Sequence, residues 1–299
     1  MEDRVQLTSV KESKVTEFKY KKQMTKTERI YLWLKRIFLW VSILIVMFPV
    51  FSIISASLTK GNSFMQKSII PDSITFENYI NALSEKDGFV RWMLNTIFVA
   101  TIVSVIQLIM TLPAAYAFSK LKFRGKKNGL KSLIILQMFP ASMTVPAILA
   151  VAYKLPFGMD NLIFLSIILC TGSAYNIWLM KGTIDGLPNE LIEAAKVDGA
   201  TTWQVFYKIV LPLIKSMSVV IFFFTFIGVF GEYIYSAALI KDKPLKLLVV
   251  GLKSLMGDKI TNWPEYAACS VKVSIPLAIV FVSIQKFISK GLTAGAVKE

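Results

Sequence analysis

Six stretches of this chain each run for about twenty residues with almost no charge, and that leaves few ways to fold. They cover 37–59, 92–119, 132–153, 161–180, 216–240 and 266–285. Only Glu232 interrupts the fifth and only Lys272 the sixth. An α-helix rises about 1.5 Å per residue and a bilayer's hydrocarbon core is about 30 Å thick, so about 20 apolar residues cross it. A helix closes its backbone hydrogen bonds within one segment, as lipid demands. The expected fold is therefore an all-α integral membrane protein with six transmembrane helices. A soluble helical protein is the rival, but hydrophobic residues make up 55% of the chain and charged residues only 18%. Soluble domains carry about 25% charged residues to wet their surface. The first run starts too late and is too long for a cleaved signal, so it is expected to remain as a helix.

The same composition excludes chemistry. Histidine is absent and the cysteines are Cys170 and Cys269, so a zinc site, a His-based triad and a disulfide scaffold all lack their residues. No metal site is expected. A net charge of +15 would suit nucleic acid, but the basic residues flank the apolar runs, which is the pattern of a chain threaded through lipid. With the N-terminus inside, residues 1–36, 120–131, 181–215 and 286–299 hold 23 of the 34 Lys and Arg. Both termini are thus expected in the cytoplasm. The segment 241–265 dissents, with five lysines against three acids on the outer side. The expected organisation is a basic N-terminal segment 1–37, a first helix 38–58 and an extracellular loop 59–91. A five-helix core 92–288 follows, with a cytoplasmic loop 181–216 and a tail 289–299.

Prolines and charges mark where these helices depart from plain spans. Pro49, Pro113, Pro140, Pro146 and Pro276 each free a carbonyl four residues earlier. The Pro140–Pro146 pair marks the third run as the one expected to break. A charge at mid-bilayer costs roughly 3 kcal/mol on insertion scales. Glu232 lies about 24 Å above the start of its run, and Lys272 comes to a similar depth from the other side. They either approach each other, share a wet cavity, or snorkel separately.

The loop KGTIDGLPNELIEAAKVDGATTWQVFYKIVLPLIKS, 181–216, reads as helix, glycine turn, helix. Asn189 is the expected cap of the first helix, Gly199 its end, and Thr202 the cap of a second containing Trp203, Phe206 and Ile209. Such a knob, held at both ends by membrane helices, suits passing motion to and from a soluble partner. An amphipathic helix lying on the membrane is the other reading of these residues.

Glu193-Ala194-Ala195, three residues, Gly199, nine residues, Ile209, one residue and Leu211-Pro212 together resemble the EAA motif of ABC-importer permeases. The run from Asn95, QMFP at 137–140, NIWLMKG at 176–182, FGEY at 230–233 and the tail at 291–299 are similar to the MalG-like branch of sugar permeases. The resemblance implies a type I importer permease fold in a prokaryotic plasma membrane. It implies a MalF-like second permease, two MalK-like ATPases that carry ATP and Mg, and an extracellular sugar-binding protein as partners, besides membrane lipid. It casts Glu193 as a polar anchor on the ATPase, Ala194 and Ala195 as contact surface and Gly199 as the turn. The tail at Gly291, Leu292 and Thr293 would touch the same ATPases, and the outer loop around 254–263 would reach the binding protein. Maltose or maltodextrin is the first sugar it points to, with much of the substrate contact on the partner permease. Tyr153, Asn176, Trp178, Tyr233 and Tyr235 are the aromatic and neutral polar candidates on this chain.

The chain carries no G-x-x-x-x-G-K-[ST] phosphate loop of its own; the nearest stretch, Gly125 to Ser132, has the wrong spacing. No cofactor is expected on this subunit, and the energy would come from a partner. The rival class is an ion-coupled secondary transporter using Glu232 and Lys272. A membrane-bound enzyme would need clustered acids, cysteines or histidines at one face, and none is evident.

Overall fold

The computed structural model describes residues 25–61, 71, 73–81, 88–256 and 262–293. Two compact units divide the chain, 1–50 and 51–299. Helix α1, Lys26–Ser57, supplies the described part of the first unit and enters the second. It begins eleven residues before the first uncharged run. The cause is a reciprocal cap: Thr25 N–H donates to Glu28 Oε2 at 2.8 Å, and Glu28 N–H to Thr25 Oγ1 at 3.3 Å. Between 26 and 50 its large apolar side chains are exposed, as a helix bathed in lipid allows.

The second unit is built on α3, Phe89–Lys120, an unbroken helix of 32 residues. The short α2, Glu77–Asn81, precedes it. Then come α4, Lys126–Gln137, and α5, Ala141–Ala152; α6, Leu162–Cys170, and α7, Ala174–Asp185. After α8, Asn189–Val197, and α9, Thr202–Val205, one π-helical turn covers Phe206–Val210. It leads into α10, Leu211–Leu213, and α11, Lys215–Phe230. The chain closes with α12, Ile234–Leu239; α13, Leu248–Leu255; and α14, Trp263–Thr293. Three of these helices are long and apolar enough to span alone, and three bent pairs bring the number to six. Among the described residues no strand forms beyond one isolated bridge, Thr59 to Ile74. The fold is all-α with six spans.

The spans are less regular than the uncharged runs. The third breaks at Pro140, where α4 and α5 meet at 89°. Pro49, Pro113, Pro146 and Pro276 all lie inside continuous helices, so of the five prolines one breaks a span. The fourth run breaks without proline at 171–173, where α6 and α7 meet at 50°. Two glutamines from elsewhere satisfy the backbone it exposes. Gln107 of α3 donates Nε2–H to the Leu169 carbonyl at 3.1 Å, and Gln137 of α4 accepts from Tyr175 N–H at 3.1 Å. The fifth run, read as one helix over 216–240, is two: α11 stops at Phe230 and α12 starts at Ile234. Replacing Gln137 by leucine removes this exposed bond and is expected to cost about 0.5–1.5 kcal/mol, the net worth of one hydrogen bond. A lowered unfolding temperature in micelles checks it, with Leu136→Met on the exposed face as a neutral control.

Two apolar clusters hold the second unit together. One gathers Trp92, Val99, Val103, Leu165, Phe226, Phe230, Leu239 and Leu248. The other gathers Tyr116, Met180, Ile184, Ile192, Phe206, Val210, Ile214 and Ile221. Helix α3 runs through both. At the first end the stretch 241–248 is pinned to α3. Trp92 Nε1–H donates to the Lys243 carbonyl at 2.8 Å, Asn95 Nδ2–H to the Pro244 and Lys246 carbonyls, and Leu248 N–H to Thr96 Oγ1 at 2.8 Å. Asp160, held at φ +50°, accepts from Lys241 N–H at 2.6 Å and Asp242 N–H at 2.7 Å.

Candidate functional site

The loop between α7 and α11 is a folded protrusion. Helix α8 ends in a left-handed residue, Gly199 at φ +81°. Ala200 N–H donates to the Ala195 carbonyl at 2.9 Å and Gly199 N–H to the Lys196 carbonyl at 3.0 Å, the pair of bonds of a Schellman turn. Two residues on, Thr201 caps α9 in a capping box. Its Oγ1 accepts from Gln204 N–H, and Gln204 Oε1 accepts from Thr201 N–H at 2.7 Å. Both caps sit one residue before the expected ones. Pro188 precedes α8, and Asn189 instead accepts from Lys120 Nζ at 2.7 Å. Lys120, the last residue of α3, also donates to the Leu187 carbonyl at 3.1 Å, so α3 grips the entry to the protrusion.

The motif residues divide by burial. Ile192, Val205 and Phe206 are buried in the same apolar cluster as α3, α7 and α11, with Ala195 and Leu211 packed at its edge. Glu193, Ala194 and Gly199 are exposed, Ile209 is half-buried and Pro212 is exposed. Val197 is 88% exposed and Trp203 63%. Pro212 has no N–H to give, and the preceding turn widens: Leu211 N–H reaches back to the Phe206 carbonyl, a π-type bond. The protrusion thus has an apolar root in the bundle and an outer face of small, apolar and charged side chains, Glu190, Glu193 and Asp198 beside Lys196 and Lys208.

A cavity of about 560 Å³ lies between α3, α7 and α11. At its floor Asn176 Nδ2–H donates to Gln107 Oε1 at 2.8 Å and to Thr225 Oγ1 at 3.3 Å. Tyr175, Phe224 and Glu232 also line it. A second cavity of about 520 Å³ lies by the two breaks at Pro140 and 171–173 and includes Gln137, Thr144 and Tyr235. There the Thr144 and Tyr235 hydroxyls share a hydrogen bond of 2.8 Å. Of the five substrate candidates, Asn176 reaches the first cavity and Tyr235 the second. Tyr153, Trp178 and Tyr233 line neither and are largely exposed. Gln107, Tyr175, Phe224 and Thr225 were not singled out by sequence. The available signal was a glutamine and a threonine inside otherwise apolar runs.

Glu232 and Lys272 do not form an ion pair. Glu232 sits in the break between α11 and α12, and its carboxylate accepts from Tyr235 N–H, Ser236 N–H and the Ser236 hydroxyl. Lys272 donates to the Tyr79 carbonyl and stands 5.7 and 5.8 Å from the Tyr79 and Phe89 ring centres. Backbone dipoles and ring faces thus serve each charge separately. The ion pair among the described residues is Lys181–Asp185, at 2.5 Å. Described residues contain no group of three metal-ligating side chains. The backbone of Gly291–Thr293 forms the last turn of α14. Residues 257–261 of the outer loop and 294–299 of the tail lie outside the described residues.

Within the second unit, spans packed on the long helix α3 with a folded loop rooted in their core are the architecture of an importer permease subunit. The sequence model of the binding-protein-dependent transport system inner membrane component matches residues 28–294, and the chain belongs to that family. It is 35% identical over 283 residues to the maltose/maltodextrin transport system permease protein MalG of Vibrio vulnificus, covering 89% of this chain and 95% of that one. It is 34% identical over 259 residues to the galactooligosaccharides transport system permease protein GanQ of Bacillus subtilis, covering 85% and 91%. Among solved structures, a bacterial ABC transporter that imports the acidic polysaccharide alginate matches at TM-score 0.74 and 25% identity, covering 88% of this chain and 98% of that one. The chain is MalG-like in sequence and an ABC-importer permease in fold.

Proposed function

We propose that the chain is the permease subunit of an ATP-driven oligosaccharide importer, with maltose or maltodextrin the first candidate cargo and galactooligosaccharides the next. The protrusion at 189–213 carries this reading. It is capped at both turns and rooted in the bundle's apolar core, yet leaves Glu193, Ala194 and Val197 facing outward. Ile192 is buried inward in the bundle, which a helix merely lying on the membrane would not require, while Leu191, Val197 and Trp203 stay exposed for a partner. The protrusion docks on a cytoplasmic ATPase, one of a pair that binds ATP and Mg, so the loop end and both termini lie in the cytoplasm. The last turn of α14 from Gly291 points to the same partner. At the other end, Lys241 and Lys243 stand exposed on the pinned segment and Lys253 on α13, a basic set suited to an acidic patch of an extracellular sugar-binding protein. A MalF-like permease completes the pathway. The ion-coupled alternative used Glu232 and Lys272, which form no ion pair with each other and hydrogen-bond to backbone and hydroxyl groups instead.

The assembly is tested by co-expressing the chain with its partner permease and ATPase, then reconstituting it in vesicles with the binding protein. Sugar uptake is expected only with ATP, and none from vesicles holding this chain alone. Uptake by the lone chain, driven by an ion gradient, would overturn the proposal.

A further inference from the structure

The resemblance assigns most of the substrate contact to the partner permease, but the cavity between α3, α7 and α11 has the chemistry of a sugar site. A sugar ring has an apolar C–H face and a rim of hydroxyls that both donate and accept. It is held by aromatic surfaces and by neutral groups with a free lone pair or proton. Tyr175 and Phe224, each 59% exposed, provide ring faces at this cavity. Trp178 packs beside Tyr175 with ring centres 6.0 Å apart and limits its swing. Gln107, Asn176 and Thr225 form a neutral floor whose members hold one another in place. Asn176 spends its amide protons on that network, and its Oδ1 has no partner among the described residues. An apolar helix laid over this floor would strand that oxygen. A hydroxyl would satisfy it. The volume, about 560 Å³, falls in the range of small-molecule sites.

Charge narrows the cargo further. Glu232 lines the cavity and no lysine or arginine does. A carboxylate without a cation beside it repels an acidic sugar and tolerates a neutral one.

We propose that this subunit itself binds the cargo, a neutral oligosaccharide, with its rings against Tyr175 and Phe224, its hydroxyls on Asn176 and Thr225, and Glu232 rejecting uronates. The proposal rests on the importer reading above. The test uses the complete reconstituted assembly carrying Tyr175→Cys or Phe224→Cys. Cys170 and Cys269 are buried, so background labelling by a charged thiol reagent is low. Both introduced thiols are expected to react. Maltotriose or galactotriose should slow that reaction at least about fivefold while trigalacturonate does not. Tyr175→Ala is expected to raise the sugar concentration for half-maximal uptake about tenfold. Thiols that stay unreactive in every state would place a partner helix in the groove and overturn the proposal. So would protection by neither neutral sugar, equal protection by trigalacturonate, or unchanged half-saturation in Tyr175→Ala. If the unmutated assembly takes up no sugar at all, it is the importer reading that falls.

Discussion

Glu193→Lys is expected to lower sugar uptake by the reconstituted importer about tenfold or more, while the chain still inserts and folds. The two halves of that expectation have separate causes. Glu193 is exposed and makes no hydrogen bond or ion pair among the described residues, so the fold does not depend on its charge. Exposed changes of that kind shift stability by about 0.5 kcal/mol or less. On a docked surface, reversal sets a lysine where the partner met a carboxylate, and like-charge contacts cost several kcal/mol. Val197→Asp is a second variant on the same face and should act in the same direction. Uptake, sugar-stimulated ATP hydrolysis and recovery of the ATPase with the purified chain are measured together. Normal uptake in Glu193→Lys would remove the docking role from this face.

Gly158→Ala should act on folding instead, with a loss of more than about 3 kcal/mol. A Cβ at Gly158 would lie 2.2 Å from the Ala152 carbonyl oxygen and 2.5 Å from its Cα. Those are backbone atoms, so no rotamer change relieves the overlap. The turn must open, and it ends in Asp160, which accepts from the Lys241 and Asp242 amides. The substitution therefore loosens two loops at once. Yield of folded protein from membranes, and its unfolding temperature, read the effect. Gly125→Ala makes a useful contrast: nothing lies within 4 Å of its Cβ, and only the strain of φ +93° remains.

The six spans and the protrusion were legible because each is written locally. Uncharged length marks a membrane helix, and Gly199 marks a turn, whatever surrounds them. The breaks at 171–173 and 231–233 were not legible, because their causes lie far away in sequence or in a side chain read for another purpose. Gln107 and Gln137 satisfy the first break from more than thirty residues away. Glu232 looked like a buried charge in need of a counter-ion, and the backbone of α12 supplied its partners instead. Pro140 stands at the N-cap of α5 where its helix breaks, while the other four prolines lie inside continuous helices, Pro49 and Pro146 at exposed positions. The floor of the cavity shares this invisibility. Gln107, Asn176 and Thr225 come from three helices, and nothing local joins them.

The neutral layer of Gln107, Asn176 and Thr225 divides two greasy blocks that differ in how they are connected. The protrusion's Ile192 and Phe206 belong to one block, so a push on it shifts that block as a piece. Helices α3 and α11 both thread the two blocks without interruption, while the α6–α7 chain is jointed close to the layer. Amide and hydroxyl partners trade places cheaply, whereas interlocked side chains do not. The seam between the blocks is bridged by two unbroken helices and one jointed pair, and the joint at 171–173 is where the backbone itself changes course between the halves.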